Sequence, residues 1–190
     1  MDEVVETDEM YQNAGEKSIP HLDPVDPPRR HANKKRGHGN FETDRPPVVG
    51  VIGRDSGKVA LQVTRTSSSV ELQAVVEGAT QPTATVNTDE RRAYNWLALT
   101  QHSHVSVTHN PAQREWARDE DGDGVREVHT NTIEGLWTGL RNFLRPFRGV
   151  SKHYLWQYVA VYAWGHNFKM LTIALLRGML VVFDAIPIVV

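Results

Sequence analysis

Three β-rich stretches come one after another before any helical pattern appears, and that order limits the fold of this 190-residue chain more than any other feature. They are "EVVETDEMY" at 3–11, "VVGVIG" at 48–53 and "KVALQVT" at 58–64. The turn "RDSG" separates the last two, so they read as a hairpin with β-branched residues in both arms. Beyond them helix and strand alternate. "SSSVELQAVVEGA" opens on serines with helical apolar spacing, "TATVNTD" is a short strand, "ERRAYNWLAL" a short helix, "HVSVTH" an alternating strand and 131–145 a further helix. Strands in a row followed by alternation predict an α/β fold with a mixed five-stranded sheet and flanking helices.

Two stretches stand outside this pattern. Residues 12–47 are rich in Pro, Gly, His and Lys/Arg and read as an inserted basic loop, and 110–128 have no hydrophobic period and read as an acidic linker. Within the linker, "DEDGDG" places Asp119, Asp121, Asp123 and Gly124 at the first, third, fifth and sixth positions of a calcium loop. The twelfth position, where a bidentate glutamate belongs, is Thr130, so a solvated linker is the expected reading.

With 39% hydrophobic residues and five tryptophans the chain can close one core, which assigns 1–168 to a single domain and 169–190 to an apolar helix or tail. That tail is interrupted by Arg177, Asp184 and Pro187 before an apolar span of about 20 residues is reached, so it is expected to pack rather than cross a membrane. The absence of cysteine excludes disulfides, thiolate zinc and cysteine nucleophiles. The start, "MDEVVETDEM", is acidic and carries no export signal, and a cytoplasmic, nucleoid-associated location is expected.

The formal net charge of -2 conceals a segregation. Arg29, Arg30, Lys34, Lys35 and Arg36 crowd one part of the inserted loop. From Gly135 to Phe183 there is no Asp or Glu, while Arg141, Arg145, Arg148 and Lys152 all occur. Two basic surfaces on a nearly neutral protein point to a polyanion, and DNA is the first candidate, against the plainer reading of solvated basic faces.

The acids complete the picture. In a sheet built in this order, of ribonuclease H type, the first strand is central, which sets Asp8 among apolar neighbours. Asp89 ends the strand "TATVNTD", and Glu134 opens the helix after the acidic linker. Three acids converging from distant positions repel unless cations lie between them, and oxygen-only ligands select Mg²⁺ or Mn²⁺. Two such ions, about 3.5–4 Å apart, would activate a water or hydroxyl and stabilise the leaving oxygen of a phosphodiester. Each acid taken singly reads as an ordinary turn or helix-start residue.

"ETDEMY", "PVVGVI", "VNTDERRAYNWL" and "VHTNTIEGLW" follow one another as in the catalytic domain of DDE-superfamily insertion-sequence transposases of the ISXO-like group, and the chain resembles that family from about Val4 to Phe168. The resemblance implies a ribonuclease H-like fold, a divalent-metal site, and strand cleavage plus strand transfer at transposon ends by a homo-oligomer. It assigns the metal triad to Asp8, Asp89 and Glu134, with His129 and Asn131 in the same motif orienting substrate or a metal-bound water; Asn131 also reads as a helix N-cap. Two departures accompany it. Arg141 stands seven residues after the glutamate where family members usually carry lysine. Full-length members resemble proteins with an N-terminal zinc ribbon, whereas this sequence opens almost at the first strand, so a truncated or split copy is expected. A non-catalytic DNA-binding or multimerisation remnant, and a ribonuclease H-like nuclease without transposition, are the alternative readings.

Overall fold

The computed structural model describes residues 1–16, 37–108, 112 and 115–168. Five strands, β1 (Val4–Tyr11), β2 (Pro47–Gly53), β3 (Val59–Val63), β4 (Thr85–Asp89) and β5 (Ser103–Val107), make one sheet in the order β3-β2-β1-β4-β5. β1 and β2, and β2 and β3, pair antiparallel; β1 with β4, and β4 with β5, pair parallel. The hairpin and the central first strand are where the sequence order sets them. Parallel neighbours need a crossover, which α1 (Ser69–Ala79) supplies before β4 and a 3-10 helix (Arg92–Leu99) supplies before β5. The latter is the segment read from sequence as a short helix.

Alternation along the strands divides the core between two faces. Val5, Val49, Val51 and Val86 pack against Leu72, Val75 and Val76 of α1 and against Tyr94 and Leu97. On the other face, Met10, Val48, Ile52 and Val59 pack against α2 (Asn131–Leu144) and α3 (Leu155–Asn167). α2 turns Ile133, Leu136, Trp137, Leu140 and Leu144 inward, a stripe at helical spacing. Phe147, in the 3-10 turn after α2, is 39% exposed and packs edge-on against Phe143 and Tyr158.

α3 has no counterpart in the sequence reading. Trp156, Val161 and Trp164 face solvent while Leu155 and Val159 are buried, so apolar residues surround the helix and no one-sided stripe announces it. The acidic stretch is also more ordered than its composition suggests. Two-residue strands β6 (Ala117–Arg118) and β7 (Val128–His129) pair antiparallel, and between them Asp119 accepts from the Gly122 and Gly124 amides at 2.6 and 2.8 Å. Strands so short carry no periodic signal. Arg29, Arg30, Lys34, Lys35 and Arg36, and the 169–190 tail, lie outside the described residues. Among the described residues no helix is long and apolar enough to cross a membrane.

Candidate active site

The β1–β4 register brings two of the three acids together. Val4, Val5 and Glu6 stand opposite Thr85, Val86 and Asn87. The parallel pairing ends there, and Asp8 and Asp89 each lie two residues beyond its last pair, at the same end of the two neighbouring strands. Both side chains are half-buried. The Asp89 Oδ1 atom accepts from the Arg91 amide at 3.0 Å, and Asp8 Oδ2 accepts from the indole Nε1 of Trp137 at 2.8 Å. Their charges reach the same neighbours. Burial first, and then Asp8 and Asp89, hold the Tyr94 hydroxyl well above the usual phenol range, and burial together with the same two acids raises Tyr11.

Asp8 pairs with Gly50 of β2, so it points to the face covered by α2. Glu134 is the acid in the first turn of that helix, and it is exposed. Among the described residues, the group of three or more acid or imidazole side chains whose ligand atoms all lie within 4.8 Å of one another is Asp119, Asp121, Asp123 and Glu127 in the acidic loop; the triad is not such a group. Asp8 and Asp89 nevertheless fit a hard divalent cation: their donors are carboxylate oxygens, and the charges of both act on the same two tyrosines.

Glu6, two residues before Asp8 and on the same face, was not singled out from sequence. Its side chain is 0% exposed, and it meets the N-terminus of α2. Oε2 accepts from the Thr132 and Ile133 amides at 2.9 and 3.0 Å, and Oε1 accepts from the Thr132 hydroxyl at 2.8 Å and from Arg54 Nε at 3.0 Å. Arg54 also donates to the Glu127 carbonyl and, at 2.6 Å, to the His129 carbonyl. Glu6 and Asp8, two residues apart and so on one face of a central strand, are the signal in "VVETDEMY" that would have found it.

Of the flanking motif residues, Asn131 takes a different place from the cap expected of it. The N-cap of α2 is Thr130, whose side chain makes no capping bond, and Asn131 is the exposed first helical residue rather than the cap. His129 is half-buried, with Nδ1 3.1 Å from Glu6 Oε1. Burial first, and then the Arg54 charge, lower its pKa against the opposing pull of Glu6, which favours a neutral ring.

The basic residues also divide. Arg141, Arg145 and Arg148 are exposed along α2 and the turn after it. Arg45, which sequence reading did not select, lies close enough to Arg141 for their charges to repel; burial first, and then Arg141, lower the Arg45 pKa. Lys152 must be withdrawn from the DNA-facing set. It is 5% exposed, with Nζ 3.0 Å from Asp44 Oδ1, 3.4 Å from Glu16 Oε1 and 4.8 Å above the Phe41 ring. A lysine neutralised by two carboxylates is a structural ion pair, and only its sequence neighbours suggested otherwise.

The comparisons with known proteins agree with this architecture. A protein of the transposable element ISH50 from Halobacterium salinarum is 30% identical over 159 residues, which are 83% of this chain and 50% of that protein. The chain thus spans about half the length of this relative. Among solved structures, a chain of the simian T-cell lymphotropic virus intasome in complex with the PP2A regulatory subunit B56 gamma matches with a TM-score of 0.50 at 12% identity, covering 85% of this chain and 46% of that one. The HTLV-2 integrase catalytic core domain in complex with magnesium matches at 9% identity with a TM-score of 0.48, over 85% of this chain and 82% of that one. The sheet order, together with the first of these matches, makes the fold ribonuclease H-like. The model of the ISXO2-like transposase domain matches residues 1–167, and the chain belongs to that family.

Proposed function

We propose that this chain is a DDE-type transposase catalytic domain that cleaves and transfers DNA strands at insertion-sequence ends, using Mg²⁺ or Mn²⁺ held by Asp8, Asp89 and Glu134. The observation that supports it most is the parallel pairing of β1 with β4, from which Asp8 and Asp89 both follow two residues beyond the last pair, with α2, the helix of Glu134, packed on the face to which Asp8 points. Magnesium or manganese bound there would supply Lewis-acid activation of a water or hydroxyl and neutralise charge on the phosphodiester.

The remaining work belongs to the chain's own side chains. Trp137 fixes one oxygen of Asp8, and the Arg91 amide fixes one oxygen of Asp89, so both carboxylates are oriented before substrate arrives. Asn131 is exposed at the start of α2 beside Glu134 and is available to touch substrate, whereas His129 works through Glu6. Arg141 stands seven residues after Glu134, about 10 Å along the helix axis, and with Arg45, Arg145 and Arg148 offers charge to phosphates flanking the cleavage point. The loop arginines and lysines Arg29, Arg30, Lys34, Lys35 and Arg36 would extend that contact. Acting on paired ends requires a homo-oligomer, as the family resemblance implies.

The test is nicking of supercoiled plasmid by the purified chain with Mn²⁺, Mg²⁺ or EDTA. Nicking is expected with either metal, lost in EDTA and lost in Asp89→Asn. Metal-independent nicking, or full activity in Asp89→Asn, would remove the reading. Binding of DNA with no nicking under any condition would mark a non-catalytic remnant.

A further inference from the structure

We infer that Glu6 is a positioning residue that seats the N-terminus of α2 on the sheet and so sets where Glu134 stands relative to Asp8 and Asp89. The inference deepens the proposed function and rests on it for the role of Glu134.

A helix begins with amide N–H groups that its own backbone cannot satisfy. In α2 the residue placed to cap them, Thr130, makes no capping bond, and its buried hydroxyl finds no hydrogen-bond partner among the described residues. The Glu6 carboxylate takes over that task from another element, accepting from the second and third helical amides and from the Thr132 hydroxyl. Its negative charge lies at the positive end of the helix dipole, and its full burial leaves those bonds unshared with water. Arg54 balances the charge and holds the chain entering the helix through the Glu127 and His129 carbonyls.

The position of this grip makes it more than a stabilising ion pair. Glu6 and Asp8 share one face of one strand, and the amides Glu6 holds belong to the two residues immediately before Glu134. The strand that presents Asp8 therefore also fixes the helix end that presents Glu134. A second tie, Trp137 to Asp8, holds the next turn of the helix. Glu6 needs no contact with metal or DNA for this.

The experiment compares the full wild-type chain with Glu6→Gln, Thr132→Val and Asp89→Asn by amide hydrogen exchange, DNA affinity and plasmid nicking at saturating Mn²⁺ and DNA. Glutamine turns one acceptor oxygen into a donor facing other donors. In Glu6→Gln the Thr132 and Ile133 amides should exchange at least about tenfold faster while Val49 and Val51 of β2 stay protected. The nicking rate should fall about 10–100-fold with DNA affinity unchanged, the loss typical of removing support from a metal ligand. Unchanged exchange at Thr132 and Ile133 would overturn the inference. So would faster exchange with a normal nicking rate, which would make Glu6 structural only. If Glu6→Gln does not fold, Thr132→Val, which removes one of the donors, must show the same two changes in smaller degree, and its failure to do so would overturn the inference. Should wild type itself fail to nick, the proposed function fails, while the exchange rates still decide whether Glu6 holds the helix end.

Discussion

The Trp137 indole N–H donates to Asp8 across 2.8 Å, joining the helix that carries Glu134 to the strand that carries the first acid. Trp137→Phe keeps most of the ring and removes the donor. About 1.5 kcal/mol of stability should be lost, as for a hydrogen bond to a charged group, and nicking should fall about 10–100-fold because one Asp8 oxygen is no longer fixed. Urea titration and the nicking rate report the two effects separately, and a variant with wild-type nicking would deny the indole any orienting role.

The same indole depends on Gly50, the β2 residue paired with Asp8. A Cβ there would stand 2.5 Å from the Trp137 ring and 2.9 Å from Leu61. The buried indole ring cannot yield easily, although the partly buried end of Leu61 can. Gly50→Ala should therefore cost about 1–3 kcal/mol, read by urea midpoint, and should lower nicking along with Trp137→Phe. Undiminished stability would mean that the indole has room to shift.

Lys152 and Arg141 should behave as opposites. Lys152→Met leaves Asp44 and Glu16 without their buried cation and should destabilise the fold by about 3–5 kcal/mol. Exposed Arg141 should leave the melting temperature unchanged on substitution by alanine while weakening DNA binding by about 1–3 kcal/mol, with a shallower salt dependence. Arg141→Lys should keep most of the affinity. Fluorescence anisotropy across a salt series, beside thermal melts, separates the two residues; an Arg141→Ala protein that binds like wild type would deny it a phosphate contact.

Two histidines predict a fall in stability just below neutral pH. Burial lowers the pKa of His104, whose Nε2 is 2.9 Å from the Thr88 hydroxyl, and burial with the Arg54 charge lowers that of His129. The folded state then binds protons more weakly than the unfolded chain. The contribution is complete above the unfolded value of about 6.5 and is lost as pH falls through that value towards the folded one. Urea midpoints should drop between pH 7.5 and 5.5, and His104→Gln should narrow the difference. Equal midpoints at the two pH values would contradict this.

Much of the fold was legible because strand alternation and helical spacing are local signals. β1, β2, β3, α1, β4, β5 and α2 all lie close to the expected stretches, and the central place of β1 followed from their order. α3 was missed because its aromatic residues face both core and solvent, and β6 and β7 because two residues carry no period. The acids Asp8 and Asp89 could be chosen from their places at strand positions and motifs. Glu6, Arg54, Arg45 and the pairing of Lys152 with Asp44 depend on contacts between distant residues, which no local pattern records.

The central claim is that the metal belongs to Asp8, Asp89 and Glu134, and it needs a measurement that the acidic loop cannot imitate. The carboxylates of Asp119, Asp121, Asp123 and Glu127 lie within 4.8 Å of one another, so Mn²⁺ binding in solution alone would not say where the ion sits. Anomalous diffraction from crystals grown with Mn²⁺ locates it directly. A peak between the carboxylates of Asp8 and Asp89, absent in crystals of Asp89→Asn, is the expected result; a peak at the acidic loop with none beside Asp8 would contradict the account.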